Sequence, residues 1–366
     1  MSLPAALPFT ATIEDYKQQA KALFNAILAG EESAHWRFKW IHPRFRGHPV
    51  SAVRTTTLAP ADAQLVLARE YHFENWEDLA RFAETVRVDK AVARFEAAVD
   101  AIVSGDIDAL RVMLEKDPKL VHSRSARAHQ ATLLHYVAAN GVEDYRQKTP
   151  PNAVAIGQLL LSAGAEPDAL ADMYDEKCTT LSMLVSSSPP HAAGLQGALA
   201  ETLLDHGAAL DGPGTAYQSA VMTALSFGFV DTAEMLAGRG ARVDTLPAVA
   251  GLGRTAEVAR MLPHADAHDR QASLALAAQL GHAEVVRLLL DAGVDPSVYN
   301  PEGFHSHGTP LHHAVWSSHA DVVRMLVERG ARLDMRDKVY EGTPLDWAVY
   351  GERTALAEYL REKGAS

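Results

Sequence analysis

The stretch from Gly308 to Asp337, GTPLHHAVWSSHADVVRMLVERGARLDMRD, does most to limit what this chain can fold into. A turn enters a short apolar stripe at Thr309-Pro310-Leu311-His312, a second stripe runs from Asp321 to Glu328, and Gly330-Ala331 stops it. Thirty-four residues after Thr309, the segment Thr343-Pro344-Leu345-Asp346-Trp347-Ala348 opens the same unit again. Upstream, Gly281-His282-Ala283-Glu284 followed by VVRLLLDAGVDPSV repeats its second half. Helices of about nine residues are too short to stand alone in water. Each must bury its apolar face against the neighbouring unit, so the energetics expected are those of a stack in which interfaces dominate.

A period near thirty-three with this turn–helix–helix order resembles the ankyrin repeat. The resemblance implies an all-α fold: an ankyrin-repeat solenoid of about eight helix-turn-helix units, with an N-terminal helical capping region. The expected division is residues 1–90 for the capping region and 91–366 for the array. The first unit, near Phe95, is degenerate and hinges at Gly105-Asp106. The second starts at Thr132 and carries an extra segment at 142–151, and the third, from Thr179, has a long interhelix joint. The fifth, Leu246 to His264, is short, and the turn entering the seventh is long. Gly164, Gly207, Gly240, Gly293 and Gly330 each stand where a second helix must stop in the left-handed conformation.

Ahead of the repeats, residues 1–10 read as an apolar arm, and Thr12 as the N-cap of a helix through Ala29. Thr57 reads as the cap of a helix from Leu58 to Tyr71, and Asn75 as the cap of the next. The segment LAPADAQLVLAREYHFENWEDLARF resembles one found ahead of the repeats in bacterial ankyrin-repeat proteins. That likeness implies a helical cap, which the first unit needs to cover its stacking face. Between these helices, residues 35–46 interleave bases with aromatics. They read as a folded elbow with aromatics inward and bases outward, the alternative being a nucleic-acid surface.

The net charge of −12 is uneven. Residues 1–90 hold 11 basic and 11 acidic side chains, leaving 23 basic against 35 acidic for the rest. An acidic array opposes phosphate binding, so no nucleic-acid partner is expected. No run of eighteen apolar residues offers a membrane span, no secretory leader opens the chain, and a single cysteine, Cys178, precludes an internal disulfide. A cytoplasmic protein without cofactor is the expectation.

By the resemblance, the side chain after each motif histidine faces the concave groove beside the turn fingers. Carried over position by position, the groove ladder is Tyr136, Met183, Thr223, Leu276, His313 and Trp347, and the long finger of residues 296–308 adds Phe304, His305 and His307. A ladder this mixed and apolar suits a protein or peptide partner, or a small apolar ligand. His135, His312, His282 and His319 sit at motif positions where imidazole bonds turn or loop backbone. His305, His307 and His313 form a possible zinc triad, but no carboxylate or thiolate stands at ligand spacing, so no metal is expected. Neither a phosphate-binding loop, a dinucleotide fingerprint, a nucleophile elbow nor a zinc-protease helix is present, which leans against an enzyme. The expected function is partner binding through groove and fingers. The alternative is a small-molecule binding protein or enzyme with a site under the 296–308 finger and the 142–151 insertion.

Overall fold

The computed structural model describes residues 7–8, 11–140, 143, 146–213 and 219–366. Most of the arm at residues 1–10, and residues 142, 144 and 145 of the insertion, lie outside them. The chain forms two compact units, Met1–Gly214 and Thr215–Ser366, so the division falls between the third and fourth helix pairs.

Five helices open the first unit: α1 (Ile13–Leu28), α2 (Glu32–Ile41), α3 (Val50–Thr55), α4 (Pro60–Glu70) and α5 (Trp76–Val88). Thr12 caps α1 in a reciprocal box with Asp15, and the Asn75 side chain accepts from Asp78 N at the head of α5. Helix α4 begins two residues later than the Leu58 expected. Pro60 enters the first turn, where its missing N–H costs nothing, and the Asp62 carboxylate takes the Ala59 N–H. The basic–aromatic segment folds as an elbow with Phe38 and Phe45 buried. Arg37 forms a two-pronged bond to Glu70, while Trp40 stays 43% exposed.

Among the described residues, eight helix pairs follow. The first unit holds α6 and α7 (Lys90–Ser104, Ile107–Lys116), then a 3-10 turn at Leu133–Ala138 with α8 (Ala153–Ser162). The third pair is α9 (Thr180–Leu184) and α11 (Gln196–Asp205), with α10 (Ser188–Ala192) filling the long joint between them. The second unit holds α12 to α21 as five pairs: α12 and α13 (Ala220–Ser226, Val230–Gly238), α14 and α15 (Leu246–Gly251, Thr255–Met261), α16 and α17 (Ala267–Leu280, Ala283–Asp291), α18 and α19 (Pro310–Trp316, Ala320–Glu328), and α20 and α21 (Pro344–Tyr350, Thr354–Glu362). Two three-residue strands, β1 (Ala171–Met173) and β2 (Glu176–Cys178), form one antiparallel hairpin finger. The protein is thus all-α in class, as the repeat period implies.

The second unit shows why the repeat needs its glycines and histidines. One continuous apolar core runs from Leu246 to Leu360, built of Leu, Val and Ala from successive pairs. At the joints, His282 Nε2 donates to Gly251 O at 2.8 Å, and His319 Nε2 to Gln279 O at 3.0 Å, each tying one pair to the pair before. Gly253 and Gly281, both at positive φ, make that reach possible. A Cβ there would lie 2.7 Å and 2.5 Å from Nδ1 of the arriving imidazole, too close for any other residue. His135 and His312 work within a repeat instead. Their Nδ1 atoms accept from the Thr132 and Thr309 N–H groups, and Nε2 donates to Cys178 O and Gly342 O.

Candidate functional site

The ladder positions fall into two clusters, and two of them join neither. In the second unit, Thr223 and Leu276 are each only 1% exposed, and the Thr223 hydroxyl donates to Ser219 O. Such side chains fill the packing and offer no surface. In the first unit, Tyr136 and Met183 line one shallow cleft with His129, Asn140, Glu143 and Arg146, with room inside for about 20 Å³.

That cleft is floored by charge. Tyr136 OH donates to Glu143 Oε1 at 2.8 Å, and His129 Nε2 and Arg127 Nη1 each approach the same oxygen at 3.1 Å. Arg146 bridges Glu143 and Glu96 at 3.3 and 2.7 Å. Burial alone would raise the Glu143 carboxyl, but Arg127 and Arg146 beside it outweigh burial and hold it far below the ordinary carboxylate range. Burial, with the Glu143 charge adding to it, pushes the Tyr136 phenol well up. Arg127 also lies over the Phe82 ring at 4.4 Å and the Phe73 ring at 5.1 Å, so the network ties the N-terminal helices to the first two repeats. The sequence reading missed these charges. Glu96, Arg127 and Arg146 look like surface residues of separate segments, and only the extra length at 142–151 signals an unusual joint.

In the second unit the long finger brings Phe304, His305, His307, His313 and Trp347 together. His305 stacks on His313 with ring centres 5.1 Å apart, His307 meets His313 edge-on at 5.4 Å, and Trp347 touches both His307 and His313. Trp347 is held from below: its Nε1 donates to Asp337 Oδ2 at 2.9 Å. Asp337 also accepts from the Val339, Tyr340 and Gly342 N–H groups, whose donors overcome its burial and keep it ionised. His313, Trp347 and Phe304 are therefore buried, at 6%, 9% and 9% exposure, where the ladder expected them to face a partner. Removing His313 or Trp347 acts on packing first. Burial, reinforced by His305 and His307, pushes His313 down to about 3, so that imidazole is neutral at pH 7. His305 Nε2 is spent on a backbone carbonyl, Ser226 O. The one group of possible ligands close enough to share an ion among the described residues is Asp266, His268 and Asp269, where Asp266 already caps α16.

What the cluster does present lies one helical turn further on. Trp316 and Tyr350 occupy equivalent positions at the ends of α18 and α20, three residues after His313 and Trp347 on the same face. Their rings stack 6.5 Å apart at 17°, exposed 45% and 84%, over the edge of Trp347. Val349, Val339 and Tyr340 are exposed in the same two repeats. Reading the ladder at this second register, an aromatic at each of two consecutive repeats, would have found the pair in the sequence.

Among the described residues, no helix is long and apolar enough to cross a membrane. A family model described as ankyrin repeats (3 copies) matches residues 248–337 and 274–366. The chain is 40% identical over 70 residues to an ankyrin repeat-containing protein of Schizosaccharomyces pombe, covering 19% of this chain and 31% of that one. It is 34% identical over 89 residues to ankyrin repeat and SOCS box protein 6 of Mus musculus, 24% of this chain and 21% of that protein. Against the mouse ankyrin repeat and SAM domain-containing protein 6 it is 30% identical over 106 residues, 28% and 11% of the two chains. The chain thus spans under a third of each of these relatives. They are eukaryotic and share the repeats, so the bacterial likeness expected of the N-terminal segment is not shown by them. Period, helix pairs, inter-repeat histidines and these matches agree: this is an all-α chain whose residues 248–366 are ankyrin repeats.

Proposed function

We propose that the chain is a binding protein for a protein or peptide partner, and that the docking face is the aromatic surface of Trp316 and Tyr350. The observation that carries this is their stacked exposure inside the family-matched repeats. A rigid aromatic pair resting on a hydrogen-bonded tryptophan offers large contact area at low entropic cost, the usual make-up of a binding hot spot. Trp347 and His313 support that face from beneath. The cleft at Tyr136 and Met183 serves as a joint, since its carboxylates and guanidinium groups pair with one another. The five N-terminal helices act as a cap over the first repeat, and the protein works in the cytoplasm without metal or nucleic acid. A photo-cross-linking amino acid at position 350 tests the reading in extract of the source organism. A discrete protein adduct should form and should disappear when Trp316→Ala is added. Equal capture from position 324 on the outer helix α19, or capture indifferent to Trp316, sinks it.

A further inference from the structure

The long finger does not stand free. Its tip closes on itself through Asn300 N–H to Gly308 O and Phe304 N–H to Pro301 O, and it folds back across the second unit. Phe304 is buried edge-on against His268 at the head of α16. His305, at φ +58°, donates from Nε2 to Ser226 O at the end of α12, 2.8 Å away and 79 residues earlier in the chain. Gln279 donates to that same carbonyl at 3.0 Å. One aromatic ring and one donor thus sit on a surface built by α12 and α16.

The seating is imperfect. Asn300, only 3% exposed, has no protein partner for Oδ1 or Nδ2, and the same is true of the buried Ser226 Oγ and His313 Nε2. Each buried polar group without a partner leaves its desolvation uncompensated. A non-glycine residue held at left-handed φ adds a comparable strain. These costs gather around one loop, whose Phe304-His305 tip is held by the ring contact to His268, the bond to Ser226 O and the stack on His313, so part of what those contacts gain is offset at the tip itself. Low local stability of this kind marks segments that open before the fold does.

We propose that the α12–α16 face is a seat for a peptide presenting an aromatic side chain followed directly by a side-chain hydrogen-bond donor, and that Phe304-His305 occupies it until such a segment displaces them. The seat is separate from the Trp316–Tyr350 face and stands whether or not that reading holds. A tethered finger competes at an effective concentration in the millimolar range, so displacement selects for partners that bind the seat well.

The test uses the full chain and a fluorescein-labelled peptide of residues 300–308. Its anisotropy is titrated with the unchanged protein and with the Phe304→Ala/His305→Gly double variant, whose finger can no longer fill the seat. The variant should bind the peptide at least about tenfold more tightly than the unchanged protein. A peptide with the Phe-His order reversed should bind neither. A folded variant that fails to bind, or that binds both peptides equally, overturns the proposal. Hydrogen exchange on the unchanged protein decides independently of any substitution. Amides of 303–308 exchanging much faster than those of α18 support displacement. Exchange only through global unfolding makes the finger a permanent strap and overturns it.

Discussion

Around the second repeat the main cluster of buried polar side chains is a network of carboxylates and guanidinium groups; around the seventh it is a cluster of imidazoles. Glu96, Arg127, Glu143 and Arg146 are buried together and pair with one another, with Tyr136 and His129 also reaching Glu143. His305, His307, His312 and His313 instead gather as imidazoles that stack on one another and on Trp347, with burial lowering His307, His312 and His313. A buried ion pair is expensive to form and more expensive to break, because either partner alone is a stranded charge. A neutral imidazole cluster costs little to assemble but fails when protons are forced on it. The first arrangement penalises the loss of a residue, the second a change of solution.

The largest expected effect breaks the charged region. Glu143→Gln keeps the shape but leaves Arg127 and Arg146 with one carboxylate fewer, and should destabilise the first unit by roughly 3–5 kcal/mol. Urea unfolding followed by circular dichroism should show an early transition for that unit alone. A single shift common to both units would show that the second repeat is not a local joint.

The next effect, acid, needs no mutation and acts on both units, on the first through His135 and on the second through the imidazole cluster. His313 and His135 are driven down to about 3 and about 4 by burial, and burial likewise lowers His307 and His312. The unfolded chain binds protons near 6.5 while these folded imidazoles refuse them, so stability is flat above about pH 7 and falls as pH drops below 6.5. At pH 5 each strongly depressed imidazole should cost about 2 kcal/mol. Glu143, held far down by its arginines, keeps its charge throughout that window. The urea midpoint of the second unit should therefore fall between pH 7 and pH 5, and His313→Leu should flatten the slope. A midpoint indifferent to pH would mean that the cluster is open to water.

How far these regions could be read from the sequence follows from the separation of their parts. The repeat grammar is local, so its motif histidines declared their bonds to turn or joint backbone, and Thr12 and Asn75 declared their caps. The charged network joins residues 96, 127, 143 and 146, and no spacing marks it; each member alone resembles a solvated side chain. The finger was legible as long, and its histidines as outside the grammar. That it folds back onto Ser226 depends on a contact across 79 residues. The ladder residues and the exposed pair lie on the same two helices, one turn apart: His313 and Trp347 are buried, and Trp316 and Tyr350 are exposed.

Trp347 tests that inversion at moderate size. Trp347→Phe keeps a ring against His307 and Trp316 but leaves Asp337 without its indole donor, and should cost about 1–2 kcal/mol. Trp347→Ala also opens a cavity and should cost roughly 3–5 kcal/mol. Near-equal losses from the two variants would assign the stabilisation to the Asp337 bond and not to the stack.

The smallest effect on stability is expected at Tyr350, where the comparison is sharpest. Trp347 and Tyr350 share one short helix, three residues apart, on one face. One is bonded and buried at 9% exposure; the other is 84% exposed and rests on Trp316 alone. A side chain so exposed has little left to lose on unfolding, so Tyr350→Ala should change stability by no more than about 0.5 kcal/mol. Trp316 then loses its stacking neighbour, and its emission should shift as its ring meets more water, a change that Val349→Ala should not produce. Thermal melts and emission spectra of the two variants suffice. If Tyr350→Ala costs as much as Trp347→Phe, Tyr350 belongs to the support of the repeat and not to a face kept for a partner.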